Sequence, residues 1–332
     1  MNQFYHFSEN GTYTLHETLE SLLEKRESGG FIWLRYCAPQ KEVLSRIIDI
    51  FKIHPLSIDD CYDEDQIPKI DIFREYTSIL FNDFTYIDQS IAIKEINLFL
   101  GKNFLVTVTR EETEKQHPVE KTLQDMRRNR EHNLQGPAFL MHSLLDRIIG
   151  KKLADVETIE DEIVNLEEIM ISGEASFTPQ ELQKTKRNLM AMRKSVLHER
   201  EVLVKICRKD SQFIPENSLF FYSDILDHLV KFYEMIETNR DVVTSLIQMN
   251  LSSTSNAMAE AANKTNKSVS RLTLITTIFM PLTLISGIGG MSEWSMMTGP
   301  EHWIISYPLL LAGMVLLGFI MYGFLKWYNN RG

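Results

Sequence analysis

The chain ends in two long apolar stretches that contain no charged residue and are joined by a short loop. The first runs from Leu272 to about Ser292 and the second from Trp303 to Leu325. At ~1.5 Å per residue in a helix, each stretch is ~30 Å long, which is the thickness of the hydrocarbon core of a bilayer. The sequence therefore predicts a membrane protein with a C-terminal helical hairpin.

Basic residues at the outer ends of these spans predict their orientation. The loop 290–302 contains no lysine or arginine, whereas basic side chains stand just before the first span and just after the second: Lys264, Lys267, Arg271, Lys326 and Arg331. Because lysine and arginine favour the cytoplasmic side of a membrane, both termini are expected in the cytoplasm. The loop is then on the far side.

Composition excludes several classes of function. The formal net charge of -10 would repel nucleic-acid phosphate and is compatible with a protein that attracts cations. The three cysteines, Cys37, Cys61 and Cys207, have no paired spacing, which argues against a zinc ribbon or a disulfide framework. No phosphate loop, nucleophile elbow or metal triad occurs in the sequence, so an enzyme is not expected.

The remaining chain divides into two further segments. Residues 1–135 mix short apolar runs rich in β-branched and aromatic residues, which predict strands at 31–36, 77–84 and 104–109, with helical spacing from Glu42 to Phe51. An α/β cytoplasmic domain is therefore expected. Residues 136–270 are predicted to form a helical hairpin and a long stalk helix, and 271–332 the two-helix transmembrane domain.

The hairpin is predicted from opposite charges on two helices. Residues 153–174 carry many acidic side chains and no basic one, and the next helix is basic. That second helix is expected to begin with a capping box of Thr178, Pro179 and Glu181. The acidic arm is interpreted either as a solvated face or as a functional acidic patch.

The stalk is predicted as one continuous helix that enters the membrane. No proline occurs from about Ser218 until Pro281, so ~70 residues would form a helix ~105 Å long. A helix of that length needs partners. We expect a bundle of the same helix from several subunits.

A polar stripe follows one face of this helix. Five of its six heptad-spaced positions, Ser252, Ala259, Asn266, Thr273 and Gly287, are small or carry hydroxyl or amide groups, and the sixth is Met280. Such a stripe either packs helices together or lines water, and the stripe alone leaves both readings open. With no charge in either span, a channel that uses oxygen dipoles is favoured over a proton relay.

These residues also carry a family resemblance. Residues 264–288 followed by Gly290-Met291 closely resemble the first membrane helix of the CorA family of divalent-cation channels, and similar pieces occur in order at 54–60, 67–70, 99–108 and 224–229. The resemblance implies a CorA-like funnel, a homopentamer in the plasma (inner) membrane that contacts lipid. It implies flow of divalent cations, Mg2+ first and Co2+, Ni2+ or Zn2+ as rivals, with Mg2+ also acting as a regulatory ion.

The resemblance also implies roles for individual residues. The pore would be lined by Asn266, Leu272, Met280, Thr283 and Gly287, although the helical count from the stripe prefers Thr273 to Leu272. The outer selectivity motif would comprise Gly290, Met291, Ser292 and Glu293. A cytoplasmic Mg2+ sensor would use Asp224 and Asp88, with Asp83 as the fallback for Asp88.

The chain departs from the family at Ser292. The family motif is Gly-Met-Asn, and here a hydroxyl replaces the Asn amide, so a ring of Ser292 would be wider and less rigid. Glu293 is a candidate for a charged ring instead. A zinc transporter of the ZntB type and a non-conducting CorA-like membrane scaffold are therefore kept as alternatives.

Overall fold

The computed structural model describes residues 2–25, 29–63, 66–110, 122, 135–172, 178–291, 296, 299 and 302–329. The chain forms two compact units, Met1–Asn250 and Leu251–Gly332. The three-part division at residues 135 and 270 stays a prediction.

A seven-stranded sheet lies at the centre of the first unit. The strands are β1 (Gln3–Phe7), β2 (Tyr13–His16), β3 (Phe31–Cys37), β4 (Lys69–Ile72), β5 (Tyr76–Ile87), β6 (Ser90–Gly101) and β7 (Phe104–Thr109). Their spatial order is β2-β1-β3-β7-β6-β5-β4, with β3 and β7 parallel and the other neighbours antiparallel. The α/β prediction and its three strands are confirmed.

Successive side chains of the central strands point to opposite faces of the sheet, and both faces are buried. Trp33 and Leu105 belong to the apolar core on one face, and Leu34 and Val106 belong to the core on the other. The second core is closed by three short helices, α1 (Leu19–Lys25), α2 (Lys41–Phe51) and α3 (Pro55–Asp59). The first is closed by the long helices, so the sheet is covered on both sides.

Two of those long helices are the predicted acidic and basic arms, α4 (Gly136–Ser172) and α5 (Pro179–Cys207). Thr178 is the N-cap of α5, as predicted, but the capping box is wrong because the Thr178 side chain makes no capping hydrogen bond. The first turn is closed through the backbone instead, since the Glu181 N–H donates to the Thr178 carbonyl at 3.0 Å.

A buried ion pair joins α4 to α5. Lys152 Nζ donates to both carboxylate oxygens of Glu199 at 2.6 Å, and both side chains are completely buried. The ammonium also lies over the rings of Phe81 and Phe84 of β5, at 4.6 and 4.4 Å from their centroids. Burial lowers the pKa of Lys152, and the charge of Glu199 opposes that shift.

The stalk prediction is confirmed by α6 (Leu219–Gly289), a single helix of 71 residues that contains Pro281. In the first unit its buried side chains recur every three or four residues, from Tyr222 to Leu246, and complete the core on that side of the sheet. The last helix is α7 (Trp303–Asn329).

Candidate ion pathway

In the part of the chain that the structure describes, two helices are long and apolar enough to cross a membrane, by length and composition. They include the C-terminal part of the segment Glu216–Gly289 and the segment Ile304–Trp327. The two predicted spans are therefore present as the end of α6 and as α7. Both spans lie in the second unit, Leu251–Gly332, and they pack against each other there.

The five predicted pore residues share one face of α6. At 100° per residue, Asn266, Leu272, Met280, Thr283 and Gly287 fall within an arc of about 120°. All five are exposed, Leu272 by 65% and Met280 by 72% of the side chain's full surface. A side chain added at Gly287 would meet no atom within 4 Å. We call this the open face of α6.

The second span packs against the other side of the same helix. A Cβ built on Gly289 would lie 3.1 Å from Cδ2 of Leu310, and a Cβ built on Gly318 would lie 3.7 Å from Cδ1 of Leu282. Gly289 and Leu282 point about 150° away from the middle of the open face. The α7 helix therefore covers one side of α6 and leaves the polar side uncovered.

Threonine hydroxyls give this span outward acceptors. Thr283 Oγ1 donates to the carbonyl of Phe279 at 2.7 Å, and Thr276 Oγ1 donates to that of Leu272 at 2.9 Å. Because each hydroxyl proton is used within the helix, the oxygen lone pairs remain to accept from water or to face a cation. Thr276 lies inside the arc of the open face, between the stripe positions Thr273 and Met280.

The outer end of α6 carries the first half of the predicted selectivity motif. The Gly290 N–H donates to Ser286 O at 3.0 Å, and the Met291 N–H donates to Ile288 O at 3.2 Å. The carbonyls of Gly290 and Met291 lie beyond the last helical turn, where backbone oxygens lose their helical partners. Ser292 and Glu293 lie outside the described residues.

The predicted sensor carboxylates belong to different elements of the first unit. Asp88 is at the tight turn between β5 and β6, with φ of 50°, and Asp224 is on the exposed side of α6. No described hydrogen bond or ion pair joins them, and the described residues contain no group of three metal-binding side chains.

The fallback residue Asp83 is engaged within its own chain. Its side chain is completely buried, and Lys151 Nζ donates to its two oxygens at 3.2 and 3.0 Å. Burial raises the pKa of Asp83, and the nearby Lys151 opposes the shift. The ion pair makes Asp83 a poorer candidate than Asp88 for a ligand shared between subunits.

Comparison with known proteins identifies the family. The model of the CorA-like Mg2+ transporter proteins matches residues 28–326. The chain belongs to this family. The cobalt/magnesium transport protein CorA of Thermotoga maritima is 33% identical over 314 residues, which cover 93% of this chain and 86% of that protein. CorA proteins are transporters or channels, which are not a class of enzyme.

Solved structures support the same fold. The complete CorA magnesium transporter of Methanocaldococcus jannaschii matches 97% of this chain and 96% of its own, with a TM-score of 0.70 at 20% identity. The ZntB cytoplasmic domain of Vibrio parahaemolyticus aligns with 77% of this chain and with 98% of its own length, with a TM-score of 0.59 at 12% identity. At these identities the likeness establishes the CorA fold alone.

Proposed function

We propose that this CorA-family protein is a homopentameric channel that lets a hydrated divalent cation flow into the cytoplasm, with Mg2+ as the first candidate. The single observation that carries the proposal is the packing of α7 on α6. It covers the side with Leu282 and Gly289 and leaves the open face, with its polar groups, without a partner in the same chain. That face is the one that copies of α6 would turn toward a shared axis.

The groups of the open face suit an ion that keeps its water. Mg2+ gives up its hydration shell reluctantly, so a pore that passes it hydrated must offer acceptors to the bound water molecules. Thr276 and Thr283 offer oxygen lone pairs, and Asn266 offers an amide oxygen. Neither span contains a charged residue that would bind the ion itself tightly.

Assembly follows from the same face. A lone α6 would expose Thr276 and Thr283 to lipid, which is unfavourable, whereas a ring of copies would enclose them and leave α7 toward lipid. Five copies is the number that the family implies. We expect native mass spectrometry in mild detergent to detect a pentamer, and a monomer or dimer that retains its fold would exclude the channel.

We assign selectivity to the outer end of the span. The carbonyls of Gly290 and Met291 would face incoming cations, assisted by Ser292 and the charge of Glu293. The loop that carries them would lie outside the cell membrane, with both termini in the cytoplasm, as the basic residues at the outer ends of the spans favour.

Gating is assigned to the cytoplasmic carboxylates. Asp224 of one subunit and Asp88 of a neighbour would share regulatory Mg2+, since carboxylate oxygens are hard ligands for this ion. Both side chains are exposed, which fits residues that meet across subunits. Asp224→Ala should conduct with less inhibition by cytoplasmic Mg2+, while unchanged inhibition in both Asp224→Ala and Asp88→Ala would remove them from the sensor.

Ion uptake into proteoliposomes tests the transport proposal. The purified chain would be offered Mg2+, Co2+, Ni2+ and Zn2+ separately, with protein-free vesicles as the control. Fastest uptake of Mg2+ supports the proposal. Preference for Zn2+ would favour the ZntB-like alternative, and no uptake of any ion would favour the non-conducting scaffold.

A further inference from the structure

A two-stranded ribbon, residues 81–95, extends from the sheet of the first unit. Strands β5 and β6 pair with each other over their whole length. Among the described strands, β4 pairs only with residues 77–80 of β5, and β7 pairs only with residues 96–100 of β6. At about 3.3 Å per residue, the ribbon reaches roughly 20 Å beyond the other strands. Two strands alone are marginally stable, so the position of the ribbon depends on what packs against it.

The turn at the tip of this ribbon has an unfavourable backbone conformation. Asp88 and Gln89 are its two central residues, and their φ angles are 50° and 58°. Positive φ at both positions is the geometry of a type I′ turn, which favours Asn-Gly or Asp-Gly because glycine adopts it without steric cost. Gln89 stands where this turn favours glycine. The turn is therefore expected to need support from outside.

That support comes from two side chains of α5. Lys184 Nζ donates to the Asp88 carbonyl at 3.0 Å, and Asn188 Nδ2 donates to the Gln89 carbonyl at 2.9 Å. The two donors are one helical turn apart, on the same face of α5. Each carbonyl of the turn thus has its own donor on the helix, while the Asp88 side chain stays exposed.

The body of the ribbon is held by α4. Lys151 Nζ donates to Thr85 Oγ1 at 3.0 Å, and Tyr86 Oη donates to the Glu162 carboxylate. The tip, residues 87–90, depends on α5 instead, because both of the side-chain hydrogen bonds that the described residues make to it come from that helix. The position of the tip is therefore determined by two bonds from one helix.

We propose that Lys184 and Asn188 are positioning residues for the regulatory cation site. This inference rests on the proposed function, in which Asp88 shares Mg2+ with Asp224 of a neighbouring subunit. A carboxylate whose backbone is already held in place loses less conformational freedom when it binds, so it binds more tightly. Both donors act on backbone carbonyls of the turn, and they would raise the affinity for the regulatory ion by holding the turn in place.

Asn188→Ala is the sharper test because it changes no charge, whereas Lys184→Met also removes a cation close to the turn. The measured quantity is the Mg2+ concentration on the cytoplasmic face that halves Co2+ uptake into proteoliposomes, relative to each variant's own uptake without Mg2+. We expect Asn188→Ala to raise this concentration about twofold to tenfold, the range that one hydrogen bond commonly contributes. Gln183→Ala is the matched control, since this exposed side chain of α5 makes no described hydrogen bond to the tip, and it should change nothing.

A second substitution separates positioning from a general loss of structure. Gln89→Gly gives the turn the Asp-Gly sequence that adopts this conformation readily. The double variant Asn188→Ala/Gln89→Gly should therefore return the half-inhibiting Mg2+ concentration to within about twofold of wild type. If glycine fails to restore it, the Asn188 amide acts through something other than the turn, and the inference is wrong.

Asp88→Ala distinguishes the failure of this inference from that of the proposed sensor. A half-inhibiting concentration that rises in Asp88→Ala but stays unaltered in Asn188→Ala would overturn the positioning role and leave the sensor standing. A concentration that stays unaltered in Asp88→Ala would overturn both. A rise in Asp88→Ala and Asn188→Ala, with recovery by Gln89→Gly, supports the positioning role.

Discussion

Gly289 of α6 lies against Leu310 of α7, so closely that a Cβ added to the glycine would stand 3.1 Å from Cδ2 of the leucine. This contact fixes which side of the first span is covered by the second. A larger residue at this position would have to displace the Leu310 side chain, whereas glycine lets the two helices approach closely. The relationship determines that the polar side of α6 stays available for other copies of the chain.

Enlarging Gly289 should loosen the hairpin. Gly289→Val places two extra methyl groups against Leu310, and overpacking of this kind commonly costs about 1–3 kcal/mol. We expect a lower thermal midpoint in detergent, with partial recovery in the double variant Gly289→Val/Leu310→Ala. Gly313→Val is the matched control, because a Cβ there meets no atom within 4 Å, and it should lower the midpoint less than Gly289→Val does.

The hydroxyl of Thr283 should matter for uptake more than that of Thr277. Both hydroxyls donate to their own helix, but Thr283 is exposed on the open face and Thr277 is half-buried outside its arc. Thr283→Val should slow divalent uptake into proteoliposomes by up to about tenfold, since each subunit loses an acceptor for ion-bound water. Equal rates for Thr283→Val and Thr277→Val would argue against a pore on this face.

The residues of the outer loop should set the ion order. Five Glu293 carboxylates around one axis would raise the local cation concentration through a field that salt weakens. Glu293→Gln should therefore depress uptake strongly at low ionic strength and less at high, and Ser292→Asn should shift preference toward Mg2+. If neither change is seen in the same vesicle assay, the mouth is not the selective element.

Removing one partner of the buried ion pair should destabilise the first unit. Glu199→Ala leaves Lys152 buried without its counter-charge, which commonly costs about 3–5 kcal/mol. Lys152→Met/Glu199→Leu should recover most of that loss because no charge remains buried. Thermal unfolding of the full chain measures both, and Glu216→Ala in the exposed pair with Lys209 should leave the midpoint unchanged.

Stability should also depend on pH through Asp155. Burial, opposed by Lys151 and assisted by Asp83, raises the pKa of Asp155 from its ordinary 3.8 to about 6. The folded protein therefore holds this proton more tightly than the unfolded chain, and the associated stability is complete below about 3.8 and lost as pH rises through about 6.

Replacing Asp155 by Asn removes this loss. At pH 7.5 the free energy of unfolding of Asp155→Asn should exceed that of wild type by an amount on the order of 1 kcal/mol after solvent screening, so the variant should unfold at a higher temperature. The difference should close toward pH 4. The measurement is the thermal midpoint of both proteins across that range. A gap that stays constant with pH would mean that Asp155 keeps an ordinary pKa.

Much of the fold was accessible from local pattern. The strand at 104–109 is a short run of β-branched and aromatic residues, and α6 lacks any helix-breaking residue until Pro281, so both were predicted correctly. The side-chain cap at Thr178 was predicted wrongly, because a capping sequence offers a hydrogen bond that the backbone of the first turn made unnecessary. Lys152 was missed as a core residue, since residue type alone classes lysine as exposed.

The sequence by itself determined the two apolar stretches and the polar stripe on α6, because these depend on length, composition and helical period. The orientation that the flanking charges favour stays a prediction. The sequence left open whether that stripe packs against a neighbour or faces water. Only the tertiary structure decided that α7 covers the side with Gly289 and not the stripe, since that choice depends on which side chains fit together at 3 to 4 Å. The same holds for Lys152 and Glu199, whose buried contact at 2.6 Å is a property of three-dimensional packing that no spacing along the chain encodes.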